Sequence, residues 1–545
     1  MNFNFEENKT KIIEFFQKYW IPVVGAIIAL LVIFSIINIY KEDVLEIDSD
    51  IKYVEQDTIF LAANSIDTLN PISTITEDSY FINKLIFDSL FEYTNNLSLE
   101  PSLVETYSIN TEKAYIDIKL KSNIKFHDGK KLTAEDVWFT VSAIQSQGKK
   151  GLYYNKVSKI ISVNVEAENK LRIYFKNNYD CSLDCLTFPI VNGKQYDSVG
   201  AYLKGENYTP IGTGKFKFSS YDSFKSLELI PYENYSGTKA SKNVSIQIVP
   251  DKNNLSNLIE NGTITCYTDK GSDRKTTVTD NNLKMYDMIS NEVDFLYFNT
   301  SSGIFKEKNA RKAAAYAIDS NLILEKGYMN DGVLTDTVYY PNFLGVLDTG
   351  TNYNYNADIA KEFLKGLGYK DENLDGILED KKEKELSIKI LVNSNNANRI
   401  AASKLIASNL EEVGFSVIVN AVPWEEYQNL IKRKDFDILV TGYVIEESYD
   451  LRVFFNGKNL WGYNNPTLFT QAKNLDRLYT VEQYKEHYTK LKEVMLEELP
   501  YYPLCYKKMG LIGTNTFEAN NLPMFNNIYK NIDTWEWSVI EKKAE

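Results

Sequence analysis

Few side chains in this sequence are suited to bond-making chemistry. It contains two histidines and four cysteines, and neither an HExxH nor a CxxC pair is present, which argues against a zinc enzyme. The glycine-rich phosphate cradles of nucleotide-binding proteins are also missing. His127 stands in a His127-Asp128-Gly129 turn beside Lys125 and Lys130, with no local nucleophile to serve. A turn is the better reading, and no catalytic residue is assigned. The acids cannot be paired into general acid and base from sequence, so an enzyme is the weakest function class. Asp371, Asn373, Asp375 and Gly376 match the first half of an EF-hand loop, but its twelfth position is Lys382, a cation where a bidentate glutamate belongs. A solvated turn is expected there, with weak calcium binding as the alternative; no metal or cofactor is assigned. Cys181 and Cys185, four apart, could pair outside the cell or remain buried thiols. Cys266 and Cys505 offer no spacing argument.

The elements that would position such residues belong to a large, acidic chain. Its 545 residues allow two or three domains, and the net charge of -14 comes from interspersed acids and bases. Without a basic stripe to neutralise phosphates, nucleic acid is excluded as a partner. Tyr19 to Tyr40 carry no charge, and Ile21–Ile39 is almost wholly apolar. About 22 helical residues span roughly 33 Å, enough for a bilayer core. Trp20 and Tyr40 sit where interfacial aromatics belong, and Lys9, Lys11 and Lys18 bias the N-terminus to the cytoplasm. The run is too long for a cleaved signal peptide and no small-residue cleavage site follows it, so an uncleaved transmembrane anchor is expected. Residues 41–56 read as a polar linker. Further on, Leu386–Val392, Arg399–Val413, Phe415–Val419, Trp424–Lys432 and Phe436–Val440 alternate as strand and helix, the pattern of a mainly parallel sheet. Near residue 124, an alternating strand, the His127-Asp128-Gly129 turn and a helix capped by Thr133 and Asp136 follow one another.

As a string of residues, Ile124 to Ile144 resembles a signature of the family 5 extracellular solute-binding proteins, the oligopeptide, dipeptide and nickel receptors of ABC importers. Further matches follow in family order: Leu69-Asn70-Pro71, Ile86 to Tyr93, Pro101-Ser102-Leu103, Ile211 to Phe218, Glu233-Asn234-Tyr235, Phe298-Asn299-Thr300, Arg311 to Asp319, Ala360 to Tyr369 and Leu499 to Leu504. Each is weak alone, but their order is specific, and they cover about residues 57–540. The glycines at 212 and 214 also have a plain reading as turn formers.

The resemblance implies an α/β, two-lobed periplasmic-binding-protein-like (Venus-flytrap) fold with an extra inserted domain, here preceded by one transmembrane helix. The implied division is 1–18 cytoplasmic, 19–40 anchor, 41–56 linker, 57–94 with 206–300 and 511–540 as lobe I, 95–205 as the insertion, and 301–510 as lobe II. Ligand would lie between lobes that close by hinge motion. The stretch Gly442, Tyr443, Val444, Ile445, Glu446, Glu447 is similar to one that meets the peptide amino terminus in oligopeptide binders, with Tyr443 for a tryptophan and Glu446 for an aspartate. Glu446 would bind the ammonium group, with Glu447 as a competitor, or both are solvated loop acids. Ile75 and Glu77 would contact ligand backbone, and Arg399, beside Asn398, would meet a ligand carboxylate, with Lys404 in that role or a plain surface role for Arg399 as the rival readings. The expected function is capture of peptides outside the cytoplasmic membrane for delivery to the transmembrane subunits of an ABC permease. Nickel-chelate or oligosaccharide capture, or a tethered sensor or assembly role, are the alternatives.

Overall fold

The computed structural model describes residues 52–541, apart from 178–181, 206–207, 281–282, 351–352, 448–449, 459–460, 476 and 478. The expected anchor at Ile21–Ile39 and the residue Cys181 lie outside the described residues. Among those described, no helix is long and apolar enough to cross a membrane. The strands Lys52–Glu55 and Ser538–Glu541 pair antiparallel and form a unit of their own. Residues Gln56–Trp537 form the other unit, and everything below concerns that one.

Three sheets organise it. Thr58–Ala63 alternates half-buried and buried positions, with Ile59, Leu61 and Ala63 turned inward. It runs parallel to Asn243–Ile248, and that sheet continues antiparallel through Ser226–Pro231 to Phe216–Asp222. A second sheet orders Val104–Asn110, Tyr115–Leu120, Lys170–Phe175 and Ile160–Ala167, all antiparallel. The helix Ala134–Gln147 belongs with this segment. Its first turn is held by Asp136, a buried carboxylate that accepts from the Thr133 N–H at 2.9 Å and the Thr133 hydroxyl at 2.8 Å. The expected capping pair is therefore present.

The third sheet has seven strands. Its main order is Cys266–Asp269, Tyr501–Gly513, Lys284–Phe298, Ile438–Val444, Ser387–Asn393 and Ser416–Val422. Ser387–Asn393 pairs parallel with both of its neighbours, and the helices Ala397–Glu412 and Trp424–Arg433 make the connections, as the alternation predicts. The strands at 266–269 and 284–298 pair here too, with strands from beyond residue 386.

Two local packing constraints account for Gly212 and Gly214, expected from sequence as turn formers, and for Gly442, expected as a ligand contact. Gly212 and Gly214 are not in the left-handed region; their Cα atoms lie against the main chain of Ile86, so that a Cβ on either would overlap its carbonyl. Gly214 N–H donates to that carbonyl at 2.9 Å. His127 closes the same knot, sharing a 2.9 Å hydrogen bond between its Nε2 and the Gly214 carbonyl while its Nδ1 accepts from Gly212 N–H at 3.3 Å. Those partners make the ring a neutral imidazole with its proton on Nε2. Three separated motifs are thereby fastened at one point, and His127 is structural.

Gly442 is the second case. Asp294, fully buried in Lys284–Phe298, accepts from Arg399 Nη2 at 2.6 Å and from Tyr328 Oη at 3.0 Å. A Cβ at Gly442 would overlap both the guanidinium and the carboxylate. The strand needs glycine there because an ion pair passes beneath it.

Two expectations follow. Burial drives the His127 pKa down from 6.5 to about 4, against the opposing pull of the Gly214 carbonyl. The unfolded chain then binds a proton between pH 6.5 and 4 that the folded chain refuses, so His127 supports folding fully above that window and progressively less within it. Denaturation midpoints should fall between pH 7 and 5, with about 2 kcal/mol of that fall residing on His127, and the fall should be shallower in His127→Gln. Equal slopes would contradict this. Gly442→Ala should cost about 2–4 kcal/mol in urea unfolding, because it overpacks the strand and displaces a buried ion pair. A neutral result would show that the pair can move aside.

Candidate functional site

The helix Glu77–Ile86 starts at Thr76, whose hydroxyl accepts from Ser79 N–H, and it buries Phe81, Ile82, Leu85 and Ile86. Its first turns leave Glu77 and Tyr80 beside a cleft of about 680 Å³. That volume lies within the range of small-molecule sites, roughly 300–1,000 Å³. The other walls come from far along the chain: Lys156 and Lys159, Asp184, Lys270, residues 444–447 with Asp450 and Arg452, and Phe525 with Asn526.

Glu447 is the best-held charge in this cleft. Its Oε1 accepts from Tyr80 Oη at 2.5 Å and its Oε2 from Asn526 Nδ2 at 3.1 Å. Burial alone would raise its pKa, but the charges of Lys84 and Lys156 and these hydrogen bonds outweigh it and hold the carboxyl below its ordinary value. The same proximity, added to burial, pushes the Tyr80 phenol well up. The Lys84 ammonium also sits 4.6 Å over the Tyr80 ring. Lys156 donates to Thr187 Oγ1 at 2.7 Å, and Arg452 grips Asp450 with two bonds of 2.7 and 2.6 Å. Those cations are engaged within the protein. Glu77, Glu446, Lys159 and Lys270 make no ion pair among the described residues, which leaves unpaired charge of both signs on the lining.

The predicted site residues divide unequally. Glu77, Val444 and Glu446 line the cleft, with Val444 and Glu446 exposed to it. Gly442 and Tyr443 lie on the same strand but behind it, Tyr443 packing edge-on against Phe454 at 5.4 Å and Trp461 at 6.2 Å. Ile75 is exposed and does not line the cleft. Asn398 and Arg399 do not line it either, and the Arg399 charge is answered by Asp294. Burial weakens that guanidinium, yet Asp294 more than compensates and holds its pKa above the usual value. Glu447 corrects the reading of two solvated acids, since it is tied on both oxygens. Tyr80, Lys156, Lys159, Lys270 and Asn526 escape sequence analysis. Only the apolar spacing around Tyr80 gives any signal, and it does not reveal that one face of the helix turns toward a distant loop.

Beyond Leu439 the strand Ile438–Val444 has no ladder partner on its Ser387–Asn393 side among the described residues; Thr441 is buried there, and of residues 441–444 the cleft is lined by Val444 alone. Away from the cleft, Asp371, Asp375 and Glu379 hold carboxylate oxygens within 4.8 Å of one another. Cys185 is disulfide-bonded, whereas Cys266 and Cys505 are buried free thiols.

The family model of the bacterial extracellular solute-binding proteins, family 5, matches residues 98–459. Among curated proteins the chain is similar to the oligopeptide-binding protein AppA of Bacillus subtilis, 26% identical over 489 residues, covering 86% of this chain and 89% of that protein. The solved structure of that AppA with a nonapeptide superposes with a TM-score of 0.52 at 24% identity, over 90% of this chain and 100% of the other. NikZ from Campylobacter jejuni in complex with Ni(L-His) gives a TM-score of 0.57 at 22% identity, over 88% of this chain and 100% of that one. These two likenesses establish the α/β periplasmic-binding-protein-like fold. With most of the unit at Gln56–Trp537 under the family model, the chain belongs to family 5 of the bacterial extracellular solute-binding proteins, the non-enzymatic receptors of ABC importers.

Proposed function

We propose that this receptor captures peptides and presents them to an ABC permease, held at the outer face of the cytoplasmic membrane by the apolar segment Ile21–Ile39. The observation that carries the peptide reading is the unpaired charge of both signs along one cleft. A peptide brings an ammonium group and a carboxylate, and Glu446 with Glu77 can take the first while Lys159 and Lys270 take the second. Exposed Leu152 and Val444 offer apolar contact to side chains. Arg399, spent on Asp294, has no part in this reading. Closure of one lobe on the other, with the division given by the family resemblance, follows from tighter ligand binding to the closed state.

Calorimetry with peptide pools tests this reading directly. Free peptides should bind and amino-terminally acetylated ones poorly. Glu446→Gln should lose about 2 kcal/mol or more, since the pair it forms is desolvated on closure. Equal affinity for free and acetylated peptides would leave Glu446 a loop acid, and heat from a nickel chelate alone would favour the chelate reading. Glu447→Gln should instead lower stability by about 1–3 kcal/mol, because it leaves Lys84 and Lys156 without their counter-charge. Intact N-terminal sequence on membrane-extracted protein is expected; a start beyond Tyr40 would remove the anchor.

A further inference from the structure

Glu379 is buried, at 5% exposure, yet its carboxylate is only half satisfied. One oxygen, Oε2, accepts from Glu372 N–H at 2.9 Å, while Oε1 is buried without a hydrogen-bond partner. Asp371 shows the same asymmetry: Oδ2 accepts from Gly376 N–H at 3.0 Å, and Oδ1 is buried without a partner. Buried charged oxygens are rarely left unanswered, because the desolvation they suffer has no return. Neither residue, nor Asp375, forms an ion pair among the described residues; the loop's own pair joins Lys370 to Glu372 at 3.8 Å.

The three carboxylates come within 4.8 Å of one another. Two oxygens bound to one calcium ion are at most about 5 Å apart, twice a bond of roughly 2.3–2.6 Å, and the three carboxylates meet that condition with at most a small inward movement. We propose that Asp371, Asp375 and Glu379 hold a calcium ion. An all-oxygen, triply anionic donor set suits a hard divalent cation, and the Asn373 side chain can add a further oxygen. The objection raised by Lys382 falls away in this geometry. Glu379, nine residues into the loop, supplies the carboxylate that the twelfth position lacks. Gly376, at φ +89°, makes the sharp turn that such a loop requires at its sixth position.

The ion would act on the fold, since none of these residues lines the cleft. Lys370 and Glu379 exchange main-chain hydrogen bonds of 3.0 and 2.6 Å, and Leu378 N–H donates to the Gly414 carbonyl at 2.8 Å. Leu378 carbonyl in turn accepts from Leu386 N–H at 2.7 Å, just before the strand Ser387–Asn393. Calcium would neutralise the acidic turn and so fix the approach to Ser387–Asn393, the strand next to one edge of the seven-stranded sheet.

The test is titration of the chelator-stripped full-length protein with calcium chloride, and separately with magnesium chloride, by calorimetry and thermal unfolding. One calcium ion per chain should bind with a Kd of about 10⁻⁵–10⁻³ M, and it should raise the unfolding midpoint. Glu379→Gln, which keeps an oxygen for Glu372 N–H, should weaken binding at least about tenfold, and Glu372→Gln should leave it unchanged. Exposed Asp375→Asn carries the same test should Glu379→Gln fail to fold. No calcium binding up to about 10 mM, equal binding by wild type and the Glu379 or Asp375 variant, or tighter binding of magnesium would each overturn the proposal. Peptide affinity is measured separately and decides nothing here.

Discussion

A carboxylate drawn away from water must be given charge and hydrogen bonds in return, and Glu447 receives them from three distant stretches of chain. Tyr80 and Asn526 occupy its two oxygens, while Lys84 and Lys156 supply the field that keeps it ionised. Sequence separations of 367 and 79 residues are closed at one side chain. The cleft has its walls where it does because these groups are drawn to one point. With Glu447 committed to that task, the neighbouring Glu446 makes no ion pair among the described residues and stays exposed on the cleft lining, so adjacent acids have unlike surroundings.

The same economy recurs under the seven-stranded sheet. Asp294 is buried with Arg399, Tyr328 and, at 4.0 Å, Lys507 around it, and Gly442 is the space left for the pair. An ion pair of this kind contributes little net stability, but either partner alone would be costly, so it acts mainly to fix one arrangement. It fixes the strand that leads into Val444 and Glu446. Glycine and ion pair thus hold the strand Ile438–Val444 whose end reaches the cleft. Binding sites on such rigid elements hold their geometry better than sites on free loops.

Much of this was legible in the sequence wherever physics is local. The helix cap at Thr133 and Asp136 and the strand–helix order after residue 386 depend on spacing, and both stand in the structure within a few residues. The motif order announced the family. What could not be read was partnership across long separations. Nothing near Arg399 shows that Asp294 will claim its charge, and nothing near Gly212 shows that it must clear the Ile86 carbonyl. Glu446 and Glu447 are chemically alike and adjacent, and only the tertiary fold makes one an anchor and the other a surface. Lys156, Lys159 and Lys270 belong to segments with no periodic signal, so their convergence is invisible before folding.

The central claim is that the cleft around Glu447 is where ligand is held. Hydrogen–deuterium exchange on the full-length protein, with and without a saturating peptide pool, tests this most directly, because it locates binding without assuming which residue matters. Slowed exchange is expected at 77–86, 154–159 and 441–447 together, since ligand contact and lobe closure both remove these amides from solvent fluctuation. Unchanged exchange in all three segments, with protection elsewhere on a chain that demonstrably binds the pool, would contradict it.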